Sequence, residues 1–280
     1  MSELSYHELA GATAAVESAG DGQALLCVHS AGQSALQWRS VLQALPAAGY
    51  RVIAPDLPGH GRSDLLPAGP VRTLGDYREW LVGLLDALGV RSAVVVGCSI
   101  GGKLALDLAA HVPDRVLAVV AMAADARNSL LSVRTLELGL EDAASPSRSD
   151  RTYYGTLACV GRRVDPERAA AIAARHRRED PLVSTADLIA WAEHDLRGEL
   201  SRIRCPVHLV AGEDDFWVDV RDAEWAAGRI PQCTFEVLPG IGHYPMEELE
   251  DFAGLLTGWL SEIATDGGSE RWMTPRQSSS

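Results

Sequence analysis

Short apolar runs punctuate the chain at residues 24–28 (ALLCV), 51–54 (RVIA), 93–96 (AVVV), 116–122 (VLAVVAM), 207–211 (VHLVA) and 233–238 (CTFEVL). They are rich in β-branched residues, and several lack polar alternation. That pattern predicts strands covered on both faces, as in a parallel sheet. Between the runs the period changes. Leu74, Tyr77, Leu81, Leu84, Leu85 and Leu88 share one helical face, and Leu249, Phe252, Leu255, Leu256, Trp259 and Ile263 share another. A β-α alternation of this kind predicts an α/β fold with helices on both faces of the sheet. Two antiparallel strands within residues 5–18 would bring the mostly parallel sheet to eight strands.

The rhythm breaks between Arg127 and Leu200, where only helical segments are evident. Asp165-Pro166-Glu167 is a good helix start: Asp caps, Pro sits at N1 and Glu favours the helix dipole. So long a stretch is too much for a loop, and residues 127–200 are expected to form a helical cap inserted into a core of residues 1–126 and 201–264. The polar, Gly/Ser-rich residues 265–280 are expected to be a disordered tail. No internal repeat is found.

Composition narrows the function. The chain has 280 residues, 47% of them apolar, and a formal net charge of −13. A core of good size is assured, and the acidic balance argues against a nucleic-acid partner. Lys103 is the only lysine, which reads as codon bias rather than chemistry. Cys27, Cys98, Cys159, Cys205 and Cys233 are scattered and form no C-x-x-C pair, so neither a zinc knuckle nor a redox dithiol is expected. The start of the chain has no signal-peptide pattern and no run is long enough to span a membrane. Reduced thiols in a cytoplasmic protein, with no membrane partner, fit this reading.

The chemistry begins at Gly97-Cys98-Ser99-Ile100-Gly101-Gly102, which follows the predicted strand 93–96 directly and opens a helix of about residues 100–111. G-x-S-x-G in a strand–turn–helix context places the serine at a strained position, with glycines where strand and helix pass closely. The hydroxyl then stands at a helix N-terminus, where a developing anion is stabilised. Ser99 is therefore the candidate nucleophile, and Cys98 is expected to pack. A serine hydroxyl needs a neighbouring base. His243, in the glycine-rich loop Leu238–Pro245 after the last strand, is the candidate. His208 falls in a strand, His111 ends a helix, and His176, among Arg175–Arg178, is placed on a solvated helix face.

With these motifs the chain resembles the α/β-hydrolase family over about residues 20–263. Further support comes from Val28-His29-Ser30-Ala31-Gly32, similar to the His-Gly loop, and from Pro55–Ser63, similar to the D-x-x-G-x-G-x-S loop. Gly212-Glu213-Asp214-Asp215 resembles the acid loop and Gly242-His243 the histidine loop. The resemblance implies a Ser99–Asp215–His243 triad in the chain order of that fold. Asp214, adjacent to Asp215, and Asp125, just after the strand 116–122 where some relatives place the acid, are rivals for that role. It also implies an oxyanion hole from the N–H groups of Ala31 and Ile100. Relatives usually carry glycine at Ser30; its hydroxyl would donate to substrate or satisfy the loop.

Trp38, Trp191, Phe216 and Trp217 are candidates for an apolar pocket, with core packing as the alternative. His60 is expected to hold its loop near the active-site mouth. No metal-ligand spacing appears, no cofactor is expected, and a homo-oligomer is left open. The leading expectation is a serine hydrolase of a small-molecule ester, lactone or thioester. Carbon–carbon bond hydrolysis or cofactor-free perhydrolysis on the same triad is the alternative, and a non-turnover ligand-binding relative is the non-enzymatic one. Epoxide hydrolases and haloalkane dehalogenases, which use aspartate at the elbow, are disfavoured by Ser99.

Overall fold

The computed structural model describes residues 2–130, 133–134 and 148–266. Its centre is an eight-stranded sheet in the order β1-β2-β4-β3-β5-β6-β7-β8. The strands are β1 (Glu3–Leu9), β2 (Ala12–Ala19), β3 (Gln23–Val28), β4 (Tyr50–Pro55), β5 (Ala93–Cys98), β6 (Val116–Met122), β7 (Val207–Gly212) and β8 (Cys233–Leu238). β1 and β2 pair antiparallel, as does β2 with β4; the remaining pairs are parallel. The mostly parallel sheet and the two added strands match the sequence expectation.

Alternation within the strands assigns the two faces. Leu26, Val28 and Val95 join one core layer, together with residues of α2 (Leu74–Ala87), α3 (Ile100–His111) and, further along the chain, the helix Val220–Ala227. Leu25, Cys27, Val94 and Val96 join the other, with residues of α1 (Arg39–Ala44) and of the last helix, Phe252–Asp266. An apolar run without polar alternation therefore feeds two layers at once. That last helix includes Thr265 and Asp266, which corrects the predicted start of the tail; 267–280 lie outside the described residues.

Between β6 and β7 lie α4 (Arg148–Cys159), α5 (Pro166–His176) and α6 (Pro181–Glu193). Asp165 caps α5 as expected, its Oδ1 accepting from Glu167 N at 2.9 Å and Arg168 N at 3.3 Å. α6 is tied down by buried polar groups. Asp187 accepts from Tyr77 Oη at 2.6 Å and from Gly32 N at 3.1 Å, and meets His60 Nε2 at 2.8 Å. Lys103, fully buried on α3, reaches the Trp191 carbonyl at 3.0 Å and the Asp125 carboxylate at 2.9 Å, and lies over the Trp191 ring. The lone lysine is thus a structural pin between α3 and α6, not a trace of codon usage alone. His60 holds α6 through Asp187, beside the His29 ring at 4.8 Å.

The chain order reverses direction across the sheet at β3 and β5. Ligand sites in such sheets lie at the carboxyl ends of the strands beside this point. Ser30 and Ala31 follow β3, Ser99 follows β5, Asp215 follows β7 and His243 follows β8, so four loops converge there.

Candidate active site

Ser99 sits at φ 60° and ψ −120°, a conformation few L-residues adopt. The turn is held by Ser99 N donating to Met122 O and Lys103 N donating to Ser99 O, both at 2.9 Å. Its glycines are sterically obligatory. A Cβ on Gly97 would come 2.1 Å from Gly101 O, and one on Gly101 would come 2.2 Å from Val28 O. Both obstacles are backbone and cannot swing away. Gly101→Ala is expected to destabilise the protein by more than about 3 kcal/mol or to prevent folding, placing it in the severe tail of single substitutions. Thermal melts of the purified variant check this; a near-normal melting temperature would refute the close-packed elbow.

His243 Nδ1 faces both oxygens of Asp215 at 2.8 Å. The carboxylate can only accept, so Nδ1 carries the proton and Nε2 is left as an acceptor. Asp215 Oδ1 also accepts from Trp217 N at 2.8 Å and Val218 N at 3.2 Å, closing a turn around itself. The two rival carboxylates are engaged elsewhere: Asp125 with Lys103, and Asp214 with Arg162. The histidine loop is held from several sides. His243 N donates to Cys159 O at 2.9 Å, and Cys98 Sγ donates to His243 O at 3.2 Å. Glu248 accepts from Gly161 N at 3.0 Å, Gly242 N at 2.6 Å and Tyr244 N at 2.9 Å.

A cavity of about 220 Å³ brings Ser99 and His243 together. Ala31, Leu188, Trp191 and Trp217 supply an apolar wall; Ser30, Thr156, His176 and Tyr244 contribute polar groups. Ser30 Oγ is buried without a conventional hydrogen-bond partner, its neighbour being the Cys98 thiol. Ile100 opens α3, whose first N–H groups have no acceptor within the helix.

One aromatic expectation is corrected, and a second residue falls to the alternative of core packing. Phe216 is 62% exposed and does not line the cavity, because the turn around Asp215 carries Trp217 inward and leaves Phe216 outside. Trp38 is buried on the opposite sheet face against Phe252. His176 is corrected in the other direction. It is buried, lines the cavity and meets Glu247 Oε2 at 2.7 Å. Its signal was present: Ile172, Ala173 and His176 share one face of α5, and that face is buried.

Burial, together with neighbouring His60, pushes the His29 imidazole down to about 4 from 6.5, its Nε2 accepting from Leu57 N at 2.9 Å. The folded value is the lower one, so the unfolded chain binds the extra proton. This contribution to stability is complete above pH 6.5 and is lost as the pH falls toward 4. The difference in denaturation free energy between wild type and His29→Gln should shrink over that window by roughly 3 kcal/mol. A difference independent of pH would contradict a buried neutral His29.

The alpha/beta hydrolase fold family model matches residues 23–248. The chain therefore belongs to the α/β hydrolase fold family, and it is of the hydrolase class. It is 26% identical over 254 residues to the 2-hydroxy-6-oxo-6-phenylhexa-2,4-dienoate hydrolase of Burkholderia cepacia, covering 86% of this chain and 88% of that one. It is 30% identical over 249 residues to the pimeloyl-(acyl-carrier protein) methyl ester esterase of Aromatoleum aromaticum (strain DSM 19018 / LMG 30748 / EbN1), covering 83% and 96%. A thermophilic esterase from Thermogutta terrifontis superposes with a TM-score of 0.82 at 25% identity, over 93% of this chain and 99% of that one. Among the described residues no helix is long and apolar enough to cross a membrane.

Proposed function

We propose that this protein hydrolyses a small carboxylic ester, lactone or thioester through a covalent acyl-enzyme on Ser99. The observation that carries this reading is the elbow serine opening on the same cavity as a histidine whose Nδ1 is fixed by a carboxylate. Ser99 Oγ attacks the carbonyl carbon while His243 Nε2 takes its proton. The N–H groups of Ala31 and Ile100 receive the oxyanion. Ser30 N, Gly32 N and Gln33 N already have acceptors, which leaves Ala31 as the donor of its loop. The imidazolium, stabilised by Asp215, protonates the leaving alkoxide or thiolate. Water, deprotonated by His243, then attacks the acyl-enzyme and releases the acid. Trp191, Trp217 and Ser30 contact the substrate, and residues 127–200 act as the cap that shapes its site.

A cavity of about 220 Å³ is small for a ligand site, since drug-sized ligands occupy roughly 300–1,000 Å³. Among p-nitrophenyl esters, kcat/KM is expected to be highest for acyl chains of about two to four carbons and to fall steeply beyond about eight. No turnover across this series and a lactone panel would count against the ester reading. Similarity to the Burkholderia cepacia dienoate hydrolase favours one second reading, carbon–carbon bond hydrolysis on the same residues. Turnover of a vinylogous diketone, with esters untouched, would select it.

A further inference from the structure

Glu248 lies behind the base and does not line the cavity. It closes the short helix Pro245–Glu248 and is 4% exposed. Its Oε2 accepts from Gly242 N at 2.6 Å and Gly161 N at 3.0 Å, and its Oε1 accepts from Tyr244 N at 2.9 Å. All three donors are backbone N–H groups, so the direction of each bond is fixed and both oxygens serve as acceptors. Gly242 and Tyr244 flank His243 in the chain. Gly161 belongs to the helical stretch between β6 and β7, proposed above as the cap.

That stretch does more than meet Glu248. Residues 159–163 join α4 to α5 and run between the loops that carry the acid and the base. Cys159 O accepts from His243 N at 2.9 Å, Arg163 N donates to Gly240 O at 3.1 Å, and Arg162 N donates to Asp214 Oδ2 at 2.8 Å. The approach is as close as backbone allows: a Cβ on Gly161 would come 2.3 Å from Gly240 O, and one on Gly242 would come 2.0 Å from Cys159 O. Glu248 is the point where this strap and the peptide groups around the base share one carboxylate. Burial pushes its carboxyl above the usual range, and the three N–H groups oppose this. A buried carboxylate is a costly brace for a loop, and what this one spans is the base.

We propose that Glu248 is a positioning residue: it sets the reach of His243 Nε2 toward Ser99, and it makes that reach depend on the seating of the cap at Gly161. The cap then acts on the chemical step as well as on binding. A catalytic group displaced by about 1 Å costs on the order of 10² in rate. The inference rests on the Ser99–His243 hydrolase reading and deepens it.

Turnover of p-nitrophenyl butanoate at 20 °C, below the melting temperature of each variant, tests this. Glu248→Gln keeps the size and one acceptor oxygen but turns an amide NH₂ toward a backbone N–H. Its kcat is expected to fall at least about 10-fold with KM within about 3-fold of wild type. Labelling of Ser99 by a fluorophosphonate should slow by the same factor. Gly161→Ala, which forces the strap off the histidine loop without touching the cavity lining, should give the same split. Arg162→Ala, which cuts the ion pairs of the strap to Glu213 and Asp214, takes its place if that variant does not fold. In the Glu248→Gln/Gly161→Ala double variant the losses should not multiply, because both break one contact. A brace that serves stability alone would lower the melting temperature and leave kcat of the folded protein unchanged. A kcat within about 3-fold of wild type in Glu248→Gln therefore overturns the inference. A rise in KM alone in the strap variant, or losses that multiply, overturns the link to the cap. The downfield proton resonance of His243 Nδ1–H, identified by its loss in His243→Ala, gives a readout apart from turnover and should shift or broaden in Glu248→Gln. If it does so in a protein that turns over no ester, the hydrolase reading falls and the positioning role stands. Normal ester turnover with an unchanged resonance in Glu248→Gln does the reverse.

Discussion

Ser99→Ala is expected to lower the kcat of the best ester by at least about 10⁴-fold while leaving the melting temperature almost unchanged. Loss of an activated nucleophile removes the covalent route, and what survives in such variants comes from oxyanion binding and orientation alone. Stability should hold because alanine at φ 60° meets nearly the strain that serine meets, and the turn is held by backbone bonds to Met122 and Lys103. A fluorophosphonate probe should label the wild type at Ser99 and leave the variant unlabelled. Normal turnover in the variant would end the acyl-enzyme proposal.

Asp187→Ala is expected to give the largest loss of stability among the polar residues, roughly 3–5 kcal/mol, with a fall in melting temperature on the order of 10 °C. The carboxylate is fully buried and joins three segments: the loop of His60, Tyr77 on α2 and Gly32 beside the proposed oxyanion donor. Truncation would strand a buried imidazole, a buried phenol and a half-buried backbone N–H, each without its acceptor. Because Gly32 adjoins Ala31, ester turnover should fall by more than the melting temperature alone implies when both are assayed at 20 °C. Asp187→Asn, which can still accept from two donors, should recover part of each loss. A melting temperature within about 2 °C of wild type for Asp187→Ala would show that the cap is held by its apolar contacts instead.

The parts legible in the sequence were those set by local pattern. β5 and β6 are uniformly apolar because both faces are covered, and the elbow needs glycines at Gly97 and Gly101 for a steric reason visible in the motif itself. Side-chain destination was less legible. Trp38 and Trp191 are both buried tryptophans; only the sheet face each ends on decides that one packs against Phe252 and the other lines the cavity. His176 sits beside Arg175 and Arg177 in sequence, which suggested solvent, yet its ring is buried against Glu247, and the Arg175 guanidinium reaches the same carboxylate from the exposed side. Its partner Glu247 is distant in the chain, as Asp187 is from His60 and Tyr77. Pairings of that kind are made by the tertiary fold and leave no local trace.

The burial of Lys103 reaches beyond its ion pair with Asp125. Since the chain has no other lysine, every basic side chain on its surface is a guanidinium or an imidazole. Amine-directed reagents such as succinimidyl esters or glutaraldehyde would find no ε-amino group to attack on the folded molecule. Acylation confined to the α-amino terminus would then give a singly tagged hydrolase, suited to oriented coupling on a support, and uptake of a second label would report the opening of the α3–α6 junction.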